Sequence, residues 1–151
     1  MDKENLKIEE NDPLTDDIPV SKEGVNYKTF LVSDNQNEVF IFRIYTLTNK
    51  YKEDYFYPLY VNYELGDIYM FPDYRGKGLS KILLNIFLNF VESGDKIILW
   101  VLSNNVPAIK LYHSIGFSKL AKNIEREKKV REEYKWIKDS DDILFFVKHI
   151  I

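Results

Sequence analysis

The segment Arg75-Gly76-Lys77-Gly78-Leu79-Ser80 sets two glycines one residue apart among two cations and a hydroxyl, directly before an amphipathic stretch. A loop of small residues at a helix N-terminus presents free backbone N–H groups and the positive end of the helix dipole, so it binds anions. Phosphate is the natural guest, with Arg75 and Lys77 adding charge, and positions 76 and 78 carry no Cβ to hold a pyrophosphate away from the backbone. Glycine is otherwise scarce here, at 6 in 151 residues, where ordinary usage of roughly 7% gives about 11. The pair is therefore a concentration of a rationed residue.

Spacing separates three phosphate-loop patterns. A Walker A loop needs glycine five positions before the Gly-Lys pair, where this chain has Phe71, and Ser or Thr after the lysine, where it has Gly78. A dinucleotide fingerprint needs glycine or alanine at 81, which is Lys81, and repeated βαβ units that the chain does not show. The pattern R/Q-x-x-G-x-G/A is met by Arg75 and Gly78, with Ser80 departing from the usual glycine or alanine. Downstream, Asn105, Ala108, Tyr112 and Gly116-Phe117 follow the spacing N-x-x-A-x-x-x-Y-x-x-x-G-F. In these two motifs, and in Met70-Phe71-Pro72 before the first, the stretch from residue 59 to residue 118 resembles the GNAT superfamily of N-acetyltransferases.

The resemblance implies an acetyl-CoA cleft between the strand ending at Phe71 and the apolar strand 97–102, which splay apart. The backbone of Met70 and Phe71 would pair with the pantetheine arm and offer an N–H to the thioester oxygen, where negative charge develops as an amine attacks. Gly76, Lys77, Gly78, Leu79 and Ser80 would hold the pyrophosphate with Arg75 in support, and Asn105 would lie beside the pantetheine. Tyr112 would protonate the departing thiolate, a role suited to a phenol that stays protonated at neutral pH. Packing is the plainer reading of one tyrosine among 11.

The general base is less marked. Where one group of the family carries a glutamate on the strand before the second motif, this chain has Trp100. In another group a glutamate lies six residues before the cofactor-pairing hydrophobic residue, and six before Met70 is Glu64. Simple alternation would put Glu64, Gly66, Ile68 and Met70 on one face, unless a bulge intervenes. Asp67 is the second candidate. No metal site is expected from two isolated histidines and no cysteine.

These residues need a scaffold, and the hydrophobic pattern supplies one. Residues 1–24 are charged and polar, read as a tail or arm with a short strand near Leu6–Ile8, and 25–151 as a single acetyltransferase-like domain with its cofactor motifs at 64–117. Strand-like runs 25–32 and 39–47 flank a polar stretch, 33–38, read as a loop too long for a two-residue turn. A strand runs from Leu59 to Phe71, and Gly66 within it marks a bulge or a close backbone approach. Leu79, Ile82, Leu83, Ile86, Phe87 and Phe90 then recur at helical spacing. The unbroken run 97–102 is a strand covered on both faces. A second helix occupies 104–114, with Pro107 in its first turn, and a strand starts at Phe117. The charged segment 123–138 reads as a helical insert with one solvated face, and a final strand spans 143–151. The order implies a mixed α/β sheet; the resemblance sharpens it to an α+β, mostly antiparallel sheet with a central splayed parallel pair flanked by helices.

Composition excludes several classes. At 18.0 kDa, with 45% hydrophobic residues, the chain is long enough for one sizeable core. A net charge of −3 gives no general attraction to nucleic acid, and no apolar run reaches the ~18 residues of a membrane helix. The absence of cysteine fits a reducing compartment, so a cytoplasmic location is expected. The expected partner is a small-molecule or peptide amine, and a homodimer is left open. Besides an enzyme, the same features allow a CoA-binding module that acts through a protein partner.

Overall fold

The computed structural model describes residues 6–10, 26–47, 61–76, 78–79, 82, 85–86, 88–89 and 91–150. Among these, seven strands form one sheet: β1 (Leu6–Glu10), β2 (Asn26–Asp34), β3 (Asn37–Thr46), β4 (Tyr63–Met70), β5 (Lys96–Leu102), β6 (Ser118–Lys119) and β7 (Ile143–His149). Their order across the sheet is β1-β2-β3-β4-β5-β7-β6. Every neighbouring pair is antiparallel except β4 with β5. This is the mixed, mostly antiparallel sheet with one central parallel pair.

The hairpin corrects one expectation. Ser33↔Glu38 and Asp34↔Asn37 extend the ladder of β2 and β3 through polar residues, so the turn shrinks to Asn35 and Gln36, both with positive φ (48° and 71°). Two consecutive positive φ angles match the right-handed twist of a hairpin. Hydrophilic residues signalled a loop because this end of the ladder meets solvent, where pairing does not require apolar side chains.

Strand β5 divides the core. Ile97, Leu99 and Val101 join Phe40, Phe42 and Leu65 on one face, covered by Leu79, Ile86, Tyr112 and Ile115. Ile98, Trp100 and Leu102 lie on the other face with Ile143 and Phe145. The double coverage explains why its sequence shows no polar alternation. Helix α1 (Val106–Ser114) belongs to the first face. Residues 82, 85, 86 and 88 are helical, in keeping with the periodicity read over 79–90; Lys81, Leu83, Leu84, Phe87 and Phe90 lie outside the described residues.

The second face is covered by the charged insert. Helix α2 (Ile124–Glu133) is capped by Asn123, whose side chain accepts from the Arg126 N–H at 3.0 Å. The helix stops at Glu133, short of the predicted 138. Val130, Tyr134 and Ile137 form a stripe that packs on Ile98, Phe145 and Leu47, while Ile124 is 73% exposed. Burying an aliphatic side chain stabilises by about 1.5–3 kcal/mol, against ~0.3–0.5 for an exposed helical ion pair. Burial of three apolar residues thus contributes more to seating this segment than exposed ion pairs would.

Candidate functional site

The parallel pair β4–β5 holds register at only two positions, Tyr63↔Ile97 and Glu64↔Ile98. Beyond them β4 continues to Met70 and β5 to Leu102, while their outer neighbours β3 and β7 stay paired with them. The inner edges diverge into a fork, whose walls carry backbone N–H and C=O groups suited to an extended, amide-bearing ligand.

The divergence has a local cause on β4. Asp67 has φ +52°, and the register with β3 slips between Ile41 and Arg43, which marks a bulge. Before it, Tyr63 and Leu65 face the first core cluster; after it, Ile68 and Met70 do. Glu64 lies opposite Tyr45 and Ile98, on the α2 face. Glu64 and Met70 therefore occupy opposite faces, a correction to simple alternation. Gly66 is the close approach that its place in a strand suggested: a Cβ there would lie 3.3 Å from Tyr45 Cε2 and 3.4 Å from Tyr134 Oη.

Met70 pairs with Phe40, and the Phe71 N–H donates to the Val39 carbonyl at 2.9 Å. In an antiparallel ladder this makes Phe40–Met70 a non-hydrogen-bonded pair, so Met70's own N–H and C=O turn away from β3, toward the fork. The Phe71 N–H is engaged by β3, and of the two donors expected here only that of Met70 faces the ligand side. Arg75 Nε donates to the Met70 carbonyl at 2.8 Å. Its guanidinium lies 5.4 Å from the Tyr69 ring centroid.

A 3-10 turn, Pro72–Tyr74, leads from β4 into the glycine segment. Gly76 and Gly78 have φ of +74° and +69°, a region that L side chains enter at a penalty. A Cβ built at either position meets nothing within 4 Å, so backbone conformation and not crowding by the protein calls for glycine. The space beside both residues is open. Leu79 is buried in the first core cluster and anchors this segment through its side chain. Lys77 and Ser80 lie outside the described residues.

Asn105 caps α1, its Oδ1 accepting from the Ala108 N–H at 3.3 Å. Two turns on, Tyr112 is buried against Phe117 and Phe146. That burial pushes its phenol up to about 12, which keeps it a proton donor throughout the physiological range.

On the other face lies a polar cluster that linear spacing did not disclose. Asp67 Oδ2 accepts from Arg43 Nη1 at 3.0 Å and from Tyr45 Oη, and Asp67 Oδ1 accepts from Tyr134 Oη at 3.2 Å. Arg43 also donates to Thr29 Oγ1 at 3.1 Å and lies 5.7 Å from the Tyr27 ring centroid. Asp67, the second candidate for a base, is thus an anchor of the bulge. The available signal was Arg43 itself, a lone cation in the apolar run Phe40-Ile41-Phe42-Arg43-Ile44-Tyr45, since a buried charge requires a partner.

Comparison with known proteins agrees with this geometry. Residues 54–117 match the acetyltransferase (GNAT) family. A 58-residue stretch is 47% identical to a mycothiol acetyltransferase of Corynebacterium aurimucosum, covering 35% of this chain and 19% of that protein. The match thus spans about a fifth of that relative. The fold resembles the dodecameric spermidine N-acetyltransferase of Vibrio cholerae, with a TM-score of 0.62 at 16% identity over 97% of this chain and 95% of that one. It also resembles the Campylobacter jejuni N-acetyltransferase PseH in complex with acetyl coenzyme A, with a TM-score of 0.52 at 17% identity over 82% and 67% of the two chains. Two motifs in register lie within the segment 54–117, and it is this segment of the chain that matches the GNAT acetyltransferase family.

Proposed function

We propose that this chain transfers an acetyl group from acetyl-CoA to a primary amine by direct attack within a ternary complex. The observation that supports it most is the β4–β5 fork, which opens after two paired positions with the Gly76/Gly78 turn following β4. Acetyl-CoA, when bound, supplies an activated thioester. In this reading the fork takes the pantetheine arm, and the segment from Gly76 to Ser80 with Arg75 takes the pyrophosphate. Asn105 lies beside the arm, and the Met70 N–H donates to the oxygen that gains negative charge. The chain has no cysteine to carry the acetyl group covalently, which favours direct transfer.

The proton movements assign two side chains. Glu64 takes the proton from the attacking amine, through water because the carboxylate is only 2% exposed. Tyr112 gives its phenolic proton to the departing sulfur. Glu64 lies on the α2 face, at the last paired position of β4, and Tyr112 on the α1 face, so base and acid come from opposite faces of the sheet.

A CoA-release assay across polyamines, aminoglycosides, amino acids and peptide N-termini tests the reading. The similarity to a spermidine N-acetyltransferase puts polyamines first. Amine-dependent CoA release is the expected result. Acetyl-CoA near 100 times its dissociation constant should add about 2.7 kcal/mol of stability, and an unchanged melting temperature at millimolar acetyl-CoA would overturn the cleft assignment. Binding without turnover on any amine would instead leave a CoA-binding module.

A further inference from the structure

Tyr134 touches both walls of the fork beyond the point where they part. Its hydroxyl donates to Asp67 Oδ1 at 3.2 Å, and Asp67 lies three residues past Glu64, the last position of β4 paired with β5. Its ring meets Trp100 edge-on, with centroids 4.7 Å apart, and Trp100 lies two residues past Ile98, the last paired position of β5. The residue is buried, at 7% exposure. Its backbone is held from both sides, the N–H donating to the Val130 carbonyl at 2.8 Å and the carbonyl accepting from Ile137 N–H at 3.1 Å. Gly66 leaves it room, since a Cβ there would sit 3.4 Å from the hydroxyl.

No main-chain ladder joins β4 to β5 at this level, so a side chain seated on both strands carries the connection. We propose that Tyr134 is a positioning residue: a strut from the charged insert that fixes the separation of the β4 bulge from β5 and so preshapes the cleft. Parting strands are free to breathe, and a ligand that must first fix their spacing binds more weakly than one that meets it already set. The insert that covers the second face also acts on the cleft through this one residue. The inference rests on the acetyl-CoA reading for its ligand, and on the contacts of Tyr134 alone for the strut.

The test compares Tyr134→Phe, which keeps the ring on Trp100 and removes the bond to Asp67, with Val32→Ala, which thins the core on β2, two strands across the sheet from β4. Both are studied at a temperature where circular dichroism shows them folded. Titration calorimetry with acetyl-CoA should give Tyr134→Phe a dissociation constant raised about fivefold or more, and Val32→Ala one within about twofold of wild type. Amide hydrogen exchange supplies a readout without ligand. Gly66 to Tyr69 and Trp100 should exchange faster in Tyr134→Phe, with no such local change in Val32→Ala. Equal affinity in Tyr134→Phe and wild type, or the same loss in both variants, overturns the strut. If wild type binds no acetyl-CoA, the proposed function falls and exchange alone decides: unchanged protection at Gly66–Tyr69 in Tyr134→Phe overturns the strut, and selective loss there upholds it.

Discussion

Arg43 Nη1 stands 3.0 Å from Asp67 Oδ2 with the two side chains 2% and 5% exposed, so the bulge of β4 is built around a buried ion pair. Removing one partner of such a pair leaves a charge in a medium that solvates it poorly. Asp67→Ala should therefore lose about 3–5 kcal/mol of stability in urea unfolding. Asp67→Asn, which keeps a hydrogen-bond acceptor for Arg43, should lose less. A loss below about 1 kcal/mol for Asp67→Ala would mean that the pair behaves like an exposed one.

The glycine turn separates backbone strain from ligand contact. Gly78→Ala forces an L residue to φ +69°, a conformation unfavourable by about 1–2 kcal/mol, and its new methyl meets no protein atom within 4 Å. Thermal unfolding should fall only modestly. If the segment holds the pyrophosphate, acetyl-CoA affinity by calorimetry should drop more than about tenfold, or 1.4 kcal/mol, because the methyl would stand in the anion's approach. Equal affinity in the two proteins would remove this segment from the cofactor site.

Tyr112→Phe keeps the ring packed on Phe117 and Phe146 and deletes the acidic proton. Single-turnover transfer should slow by about 10²–10⁴-fold while acetyl-CoA affinity stays within twofold. A variant as fast as wild type would leave Tyr112 a packing residue.

The same phenol shapes stability at high pH. Below about pH 9 it is protonated in folded and unfolded chains alike and gives no pH dependence. Between the ordinary value near 10 and the folded value of about 12, the unfolded chain sheds this proton and the folded chain keeps it, so stability falls as pH rises. Urea unfolding of wild type should weaken more steeply from pH 10 to pH 11 than that of Tyr112→Phe. Parallel curves would show that the phenol titrates normally.

Asn105 combines a cap with a proposed ligand contact, and substitution distinguishes them. Asn105→Ala should lose about 1 kcal/mol of stability and Asn105→Ser little, since serine also caps. If the amide contacts the pantetheine arm, both variants bind acetyl-CoA more weakly. Wild-type affinity in the serine variant would confine Asn105 to capping.

Much of the fold was legible because its signals are local. Helical spacing from Leu79, the unbroken run of β5 and Pro107 in the first turn of α1 each concern residues within a few positions of one another. The glycine pair was legible for the same reason, since an anion loop is built from consecutive backbone groups. The charged insert was legible only in part. A helix was expected over the whole charged segment but ends at Glu133, with Tyr134 and Ile137 packing from beyond it, and the face it covers depends on which surface of the sheet α1 leaves open. The hairpin turn was hidden because polar residues continue the ladder where water covers it.

By itself the sequence determined the order of the elements, the two motifs at fixed spacing and the acetyltransferase resemblance, because each depends on residues close in the chain. Tertiary structure alone decided that β4 and β5 part after Glu64 and Ile98, that Glu64 and Met70 face opposite ways, and that Asp67 anchors the bulge. Those outcomes turn on one register slip in β4 and on partners 24, 22 and 67 residues away in Arg43, Tyr45 and Tyr134. A one-residue slip reverses every side chain beyond it, and linear spacing does not record where such a slip falls.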